Sequence, residues 1–316
     1  MFVNTRKEKK QHKKRRKWPF WLGGILLALI LLAGGYAFYL YNQLGNTVAT
    51  MHNPLERDSD PERQEELKRL FADKDAVNAL LLGVDERDGD SGRSDTMILL
   101  SANPNTDSMK MLSIPRDTYV NIPGRGMDKI NHAYAFGGVA LSVQTVEEAF
   151  DIPVHYYARV NMEGFQQGID AIGGVTVRND MAFSQGGTNF PEGEIQLNGQ
   201  EALEYIRMRK NDPRGDLGRN ERQRQVITAA MQQAASFSSI GKVDDILSIL
   251  GSNVQTDMDM DTMQRLFTDY RGALTNQETL EISGNGQTIN GVWYLVVPNS
   301  EFDRISTEIQ GHMEAR

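Results

Sequence analysis

Residues 79–117 read ALLLGVDERDGDSGRSDTMILLSANPNTDSMKMLSIPRD. Three apolar runs, 79–84, 97–100 and 109–114, have the length of buried strands, and charge lies beside each of them. The first run delivers Asp85, the second follows Arg93 and Asp95, and the third ends at Pro115 and delivers Arg116 and Asp117. Charges gathered at one edge of a sheet make a site. Carboxylates offer hard oxygen ligands to a divalent cation, and guanidiniums offer planar forks to phosphate oxygens. Taken singly, a strand-end Asp or Arg is as readily a surface ion pair, worth about 0–1 kcal/mol. The functional reading therefore depends on a second group of charges later in the chain.

Downstream, strand-like and helix-like patterns alternate. Residues 118–122 read as a short strand closing in the turn Pro123-Gly124-Arg125-Gly126. Lys129-Ile130-Asn131-His132-Ala133-Tyr134 follows and ends at Gly137-Gly138; Val139 to Phe150 has helical spacing. Residues 153–160 read as a strand, and Asn161 as the N-cap of a helix through Ile172. A strand at 175–177 and a Gly-rich excursion over 178–196 lead to a helix at 199–209 with Arg207 and Arg209 at its end. After a polar loop at 211–218, a long helix is expected from Arg219, where Arg219, Arg222 and Arg224 oppose the helix dipole. Residues that break a local rule are expected at functional sites. Helices at 243–250 and 260–267 and strands at 279–282 and 292–297 complete the pattern. The alternation predicts an α/β fold, a mixed central sheet flanked by helices, in one domain over residues 75–316.

Upstream, the chain changes character. Nine Lys or Arg against one Glu give residues 1–17 a charge of +8, so the chain's total of −8 leaves −16 for the remainder. Residues 18–41 then carry no charge and hold aromatic residues towards both ends. About 20 apolar residues span a bilayer, and cationic flanks stay on the cytoplasmic side. The expectation is a basic cytoplasmic tail (1–17), a single transmembrane anchor (18–41), a polar stalk (42–74) and an extracellular domain. A cleaved signal peptide competes, but its apolar core is shorter. A nucleic-acid arm is the weaker account of the tail, given its place before the span. The sequence contains no Cys, which excludes a lipobox and disulfide staples.

Arg93, Arg116, Arg207, Arg209 and Arg219, with Asp85, Asp95 and Gln223, meet the needs of a pyrophosphate clamp: a metal to bridge two phosphates and guanidiniums to neutralise the rest. A membrane-tethered clamp facing outward suits a lipid-linked pyrophosphate.

At this point the sequence resembles the LytR-CpsA-Psr (LCP) family of Gram-positive cell envelopes. The likeness rests on Gly83-Val84-Asp85, residues 92–96 (GRSDT), 113–117 (SIPRD), 129–134 (KINHAY), 170–175 (DAIGGV), 197–209 (LNGQEALEYIRMR) and 216–223 (DLGRNERQ), and covers residues 78–235. Within the family it is similar to the polyisoprenyl-teichoic acid–peptidoglycan teichoic acid transferases of Bacillus type. The resemblance implies an extracellular LCP phosphotransferase domain. The implied reaction moves an anionic glycopolymer, wall teichoic acid above all, from an undecaprenyl-pyrophosphate donor to the C6 hydroxyl of N-acetylmuramic acid in peptidoglycan. It assigns Asp85 and Asp95 to Mg²⁺, with Mn²⁺ as the alternative ion. It assigns Arg93, Arg116, Arg207, Arg209, Arg219 and Gln223 to the pyrophosphate, with Arg116 and Arg219 catalytic. Some members carry a further Arg four residues after the Arg of Ile-Pro-Arg-Asp; here that position is Val120. Asp117 is a candidate general base that no motif singles out. A lipid-pyrophosphate hydrolase and a membrane-bound transcriptional attenuator remain alternatives, and the topology argues against a nucleic-acid partner for the domain.

Overall fold

The computed structural model describes Tyr39, residues 42–85, 92–209 and 211–236, Ile249 and residues 251–316. The basic tail, almost all of the expected anchor and most of the expected helix at 243–250 lie outside these residues. No described helix is long and apolar enough to cross a membrane.

Elements follow in the order α1 (Pro61–Ala72), β1 (Val77–Asp85), β2 (Arg93–Asn103), β3 (Ser108–Ser113), β4 (Tyr119–Ile122), β5 (Gly126–Lys129), α2 (His132–Phe150), β6 (Tyr156–Asn161), α3 (Met162–Ala171), β7 (Val175–Asn179), β8 (Phe183–Gln185), β9 (Thr188–Phe190), β10 (Gly193–Leu197), α4 (Gly199–Arg207), α5 (Asp216–Ser236), β11 (Val254–Thr256), α6 (Met260–Asp269), β12 (Asn276–Leu280), β13 (Asn285–Ile289), β14 (Val292–Val296) and α7 (Asn299–Glu314). Six strands form the central sheet in the order β11-β6-β1-β2-β3-β12. β1 runs antiparallel to β2 and parallel to β6, and β12 runs parallel to β3, so the sheet is mixed.

The run at 79–84 is apolar throughout because β1 is covered on both faces. Leu80, Leu82 and Val84 enter the largest core, under α2 and α7, while Ala79 and Leu81 pack on the opposite face. That opposite face also meets Ile227 and Met231 of α5. A second core gathers β7–β10 around Leu203, Tyr205 and Ile206 of α4. α4 starts at a capping box, in which Asn198 Oδ1 accepts from the Glu201 amide and the Glu201 carboxylate accepts from the Asn198 amide.

The structure moves several boundaries. α2 begins at His132 rather than Val139, and Gly137 and Gly138 break its helical backbone, Gly138 at φ +63°. α5 begins at Asp216 rather than Arg219, which places a carboxylate in the first turn and favours the helix dipole. The helix expected at 199–209 ends at Arg207 because Met208 is extended, so Arg209 lies in the loop beyond.

Of residues 42–74, read above as a stalk, all from Leu44 onward lie in the same unit as the sheet, Leu44–Arg316. Phe71 is buried with Val77, Tyr156 and Tyr270, and Leu55 packs on the main core. Arg57 makes a two-pronged contact to Glu147, and both Arg57 and Arg63 donate to the Val154 carbonyl. Beneath these guanidiniums His155 is 1% exposed, and its Nδ1 accepts the Asn78 amide at 2.9 Å.

Burial, with Arg63 and Arg57 adding to it, pushes the His155 imidazole from 6.5 to about 3. Because the folded value lies below the unfolded one, the stability contribution is full above pH 6.5 and is lost as pH falls towards the folded value. His155→Gln removes this dependence. Between pH 6.5 and 4 the wild type should therefore lose about 3 kcal/mol relative to the variant in urea titrations. A constant difference across that range would show that His155 does not titrate as its burial requires.

Candidate active site

A β-bulge places the first carboxylate. Gly83 pairs with Thr96 and Val84 with Ser94, which leaves Asp95 opposite no residue of β1. Bulges re-aim side chains next to functional sites. Gly83 makes room for this one, since a Cβ there would stand 3.0 Å from Thr96 Cβ. Past the bulge, Asp85 ends β1 opposite Arg93. Asp85 and Asp95 both line a cavity of about 730 Å³, whose other walls include Arg116 after β3, Arg207 at the end of α4, Arg209, and Arg219 and Gln223 of α5. Met162, Leu203 and Ile206 supply an apolar side. Sequence segments more than a hundred residues apart thus meet at one opening.

Each innermost guanidinium is held by a carboxylate. Arg116 donates to Asp95 Oδ1 at 2.9 Å, and its Nε lies 3.6 Å from Asp117. Arg219 donates to Asp216 Oδ2 at 2.9 Å, and the other oxygen of Asp216 is 3.0 Å from Arg209 Nε. Burial works against the charge of Arg116, but Asp95, with help from Asp117 and Asp216, raises its pKa overall. Arg219 goes the other way. Burial lowers its pKa, Asp216 opposes this, and Arg116 and Arg209 push it further down. Its side chain is 8% exposed, and its Nε has no hydrogen-bond partner among the described residues. Crowded cations with unfilled donors favour an anionic ligand with several oxygens.

Not every residue singled out in the sequence joins the cavity. Arg93 is exposed at the start of β2 and is absent from its walls. Asp117 is also absent from them. It is 6% exposed and accepts from Lys129 Nζ on one oxygen while Arg116 lies beside the other. Both oxygens face cations, the arrangement of a positioning group. Among the described residues no cluster of three or more His, Cys, Asp or Glu could hold a metal ion. Asp85 and Asp95 are the two strand-end carboxylates on the cavity wall.

Sequence reasoning passed over Asp212. Its side chain is fully buried, and it accepts from Arg222 at 2.7 Å, while Arg222 also donates to the Met208 carbonyl at 2.6 Å. The Arg222 guanidinium lies 5.5 Å above the Phe183 ring. This pair fixes the loop carrying Arg209 and the start of α5. A Cβ on Gly218 would stand 1.8 Å from Asp212 Oδ2, so the first turn of α5 has no space for a side chain there. The signal available was Gly218, a glycine in the first turn of a helix that follows a charged loop.

The order of these blocks along the chain and their convergence on one cavity match a known group of proteins: residues 38–311 fit the model of the LytR_cpsA_psr family. The chain belongs to the LytR_cpsA_psr family. It is 68% identical over 316 residues to the polyisoprenyl-teichoic acid–peptidoglycan teichoic acid transferase TagU of Oceanobacillus iheyensis, covering 98% of this chain and 99% of that one. Among solved structures, B. subtilis TagU is 41% identical with a TM-score of 0.63, over 77% of this chain and 99% of that one. TagT bound to LIIa-WTA is 33% identical with a TM-score of 0.71, over 84% of this chain and all of that one. The mixed sheet flanked by helices is the architecture this family member shares with them.

Breaking a buried pair leaves one charge uncompensated, so Asp212→Ala should cost about 3–5 kcal/mol of unfolding free energy. Replacing both partners, Asp212→Ala with Arg222→Met, should cost less than Asp212→Ala alone. Additive losses in denaturant unfolding would mean that the two side chains are not coupled.

Proposed function

We propose that this chain is a phosphotransferase that carries a teichoic-acid-type glycopolymer from a polyprenyl-pyrophosphate donor to peptidoglycan. The observation that carries the reading is the single cavity in which Arg116, Arg207, Arg209 and Arg219 converge beside an apolar wall. Such a cavity suits a ligand with a charged head and an apolar tail. The transferase names of the similar proteins agree with that chemistry.

In the reaction proposed, the oxygen of an acceptor hydroxyl, the C6 hydroxyl of N-acetylmuramic acid, bonds to the polymer-side phosphorus. The bond from that phosphorus to the bridging oxygen breaks, and the lipid monophosphate leaves with the electron pair. The acceptor proton passes to a base not assigned to any residue. Guanidiniums bind the pyrophosphate oxygens and take up the charge that builds on the leaving phosphate, which is where most phosphoryl-transfer catalysis arises. Arg219 and Gln223 are the most deeply buried donors, Arg116 is half-buried beside them, Arg207 and Arg209 are more exposed, and Arg93 contributes from outside the wall. Asp117, held between Lys129 and Arg116, orients Arg116.

A Mg²⁺ ion fits the carboxylates present. It commonly takes one or two of them, keeps waters and completes its shell with substrate phosphates. Asp85 and Asp95 would hold it, Mn²⁺ could use the same oxygens, and when bound it would supply positive charge that offsets the charge of the substrate phosphates. The basic residues before 18–41 support a single-pass membrane protein with the N-terminus cytoplasmic and the domain outside.

Incubating the purified chain with a synthetic lipid-linked pyrophosphate disaccharide and peptidoglycan oligomers should yield a phosphodiester-linked conjugate and lipid monophosphate, resolved by mass. Sugar phosphate as the sole product would identify a hydrolase instead. Arg116→Ala and Arg219→Ala should each weaken donor binding by roughly ten- to a hundred-fold in calorimetry, the value of a charge-assisted contact of about 1.5–3 kcal/mol, and Arg→Lys should rescue only in part. Unchanged affinity in both would remove the clamp.

A further inference from the structure

The wall of the cavity holds an amide side chain that the clamp leaves unused. Gln185 ends β8, the first strand of the β8–β9 hairpin, and lines the same opening as Arg116, Arg207 and Arg219. Its position follows from the hairpin. Gln185 pairs with Thr188 across Gly186-Gly187, and both glycines have positive φ, 57° and 84°, as a tight two-residue turn requires. Side chains alternate along a strand, so Gln185 shares the face of Phe183. Phe183 is buried in the second core, its ring 4.9 Å from that of Phe190 and 5.6 Å from that of Tyr205. The strand is therefore pinned by its first residue, and its last presents a half-buried amide to the cavity. That amide has no hydrogen-bond partner among the described residues.

The donor proposed above has three parts, a lipid tail, a pyrophosphate and a sugar, and the surroundings of Gln185 select among them. Hydrocarbon offers an amide no partner, and covering one without a partner is destabilising. Ionised phosphate oxygens only accept hydrogen bonds, so they suit the N–H groups of the amide and repel its carbonyl oxygen. A carboxylate also stands at this turn. A Cβ on Gly186 would overlap the side chain of Glu204 on α4, and Glu204 Oε1 lies 3.9 Å from Arg207 Nη1, so part of that guanidinium's charge is already answered there. A hydroxyl or an acetamido group, by contrast, both donates and accepts, as the Gln185 amide does. Sugars of donor and acceptor alike carry such groups. The donor's first sugar is bonded covalently to the pyrophosphate, so it is held beside the wall whenever the clamp is filled.

We infer that Gln185 is a specificity-determining residue that reads a hydroxyl or acetamido group of the donor sugar next to the pyrophosphate. This rests on the donor reading above and adds the contact that distinguishes a sugar-bearing lipid pyrophosphate from a bare one.

The test measures binding by calorimetry with the full chain in detergent and no acceptor present, using polyprenyl pyrophosphate with and without a disaccharide. Gln185→Leu should weaken the sugar-bearing lipid roughly ten-fold, the value of one or two neutral hydrogen bonds, and leave the bare lipid pyrophosphate unmoved. Gln185→Asn, which keeps the amide on a shorter stem, should recover part of the loss. Thr188→Val changes the opposite side of the turn and should leave both affinities at the wild-type value, which separates a lost contact from a disturbed hairpin. An equal loss for both lipids in Gln185→Leu would place the amide on the phosphate and overturn the inference. Unchanged affinity for both, a matching loss in Thr188→Val, or an effect confined to the acceptor KM in transfer assays would also overturn it. If the unaltered protein binds neither lipid, the clamp falls and the inference with it. If it binds the bare lipid pyrophosphate and Gln185→Leu does not separate the two ligands, the clamp stands and the inference alone falls.

Discussion

Asp95 Oδ1 accepts a hydrogen bond from Arg116 at 2.9 Å, and the contact ties the bulge on β2 to the turn after β3. Both partners stand where the sheet's regularity stops. Ladder hydrogen bonds leave no freedom to aim a side chain sideways, so a group that must face a cavity at a strand end needs an irregular backbone. The bulge gives Asp95 that freedom, and Pro115 gives it to Arg116 by ending β3. Lys129 and Asp117 then hold Arg116 from behind. The rest of the site is arranged around this pair.

Four arginines around one cavity repel one another, and the fold answers with carboxylates placed between them. Asp216 bridges Arg219 and Arg209, while Asp95 and Asp117 flank Arg116. These acids keep the cations in place without occupying all of their donors: among the described residues, Nε of Arg219 has no hydrogen-bond partner. The Asp212–Arg222 pair has a different task. Its side chains are buried and held further by Met208 and Phe183, so the pair fixes the loop at the edge of the cavity.

Much of this was legible in the chain. The unbroken apolar runs at 79–84 and 97–100 gave β1 and β2 because runs of that length fit a sheet covered on both faces, and 109–114, interrupted by Lys110 and Ser113, still gave β3. Asn161 was legible as a cap, and its side chain does accept the Gly164 amide. Among the residues singled out, Asp85, Asp95, Arg116, Arg207, Arg209, Arg219 and Gln223 share the cavity wall. The roles of Asp212 and Asp117 were not legible, since an acid looks the same in sequence whether its partner is a ligand or a buried arginine. Nor was α7, although Phe302, Ile305 and Ile309 stand at helical spacing and Ile305 and Ile309 are fully buried. The expected stalk went astray because residues 60–70 are mostly charged. Their helix is anchored by its last aromatic, Phe71, and by arginine contacts to backbone carbonyls, neither of which leaves an apolar stripe.

The misplaced start of α5 has the same origin. This helix meets three surroundings at once. Arg219 and Gln223 face the cavity, Val226 enters the second core, and Ile227 and Met231 cover the sheet. Arg222 and Arg224 turn inward to buried or half-buried acceptors, Asp212 and Ser113. A helix buried on several sides shows no single polar face, so its periodicity is weak and its first turn cannot be found from spacing. The same packing explains why the cavity's geometry is set by α5. A shift that improved one contact would disturb the sheet, the second core or the Asp212–Arg222 pair, and the guanidinium of Arg219 is therefore positioned by three independent packings.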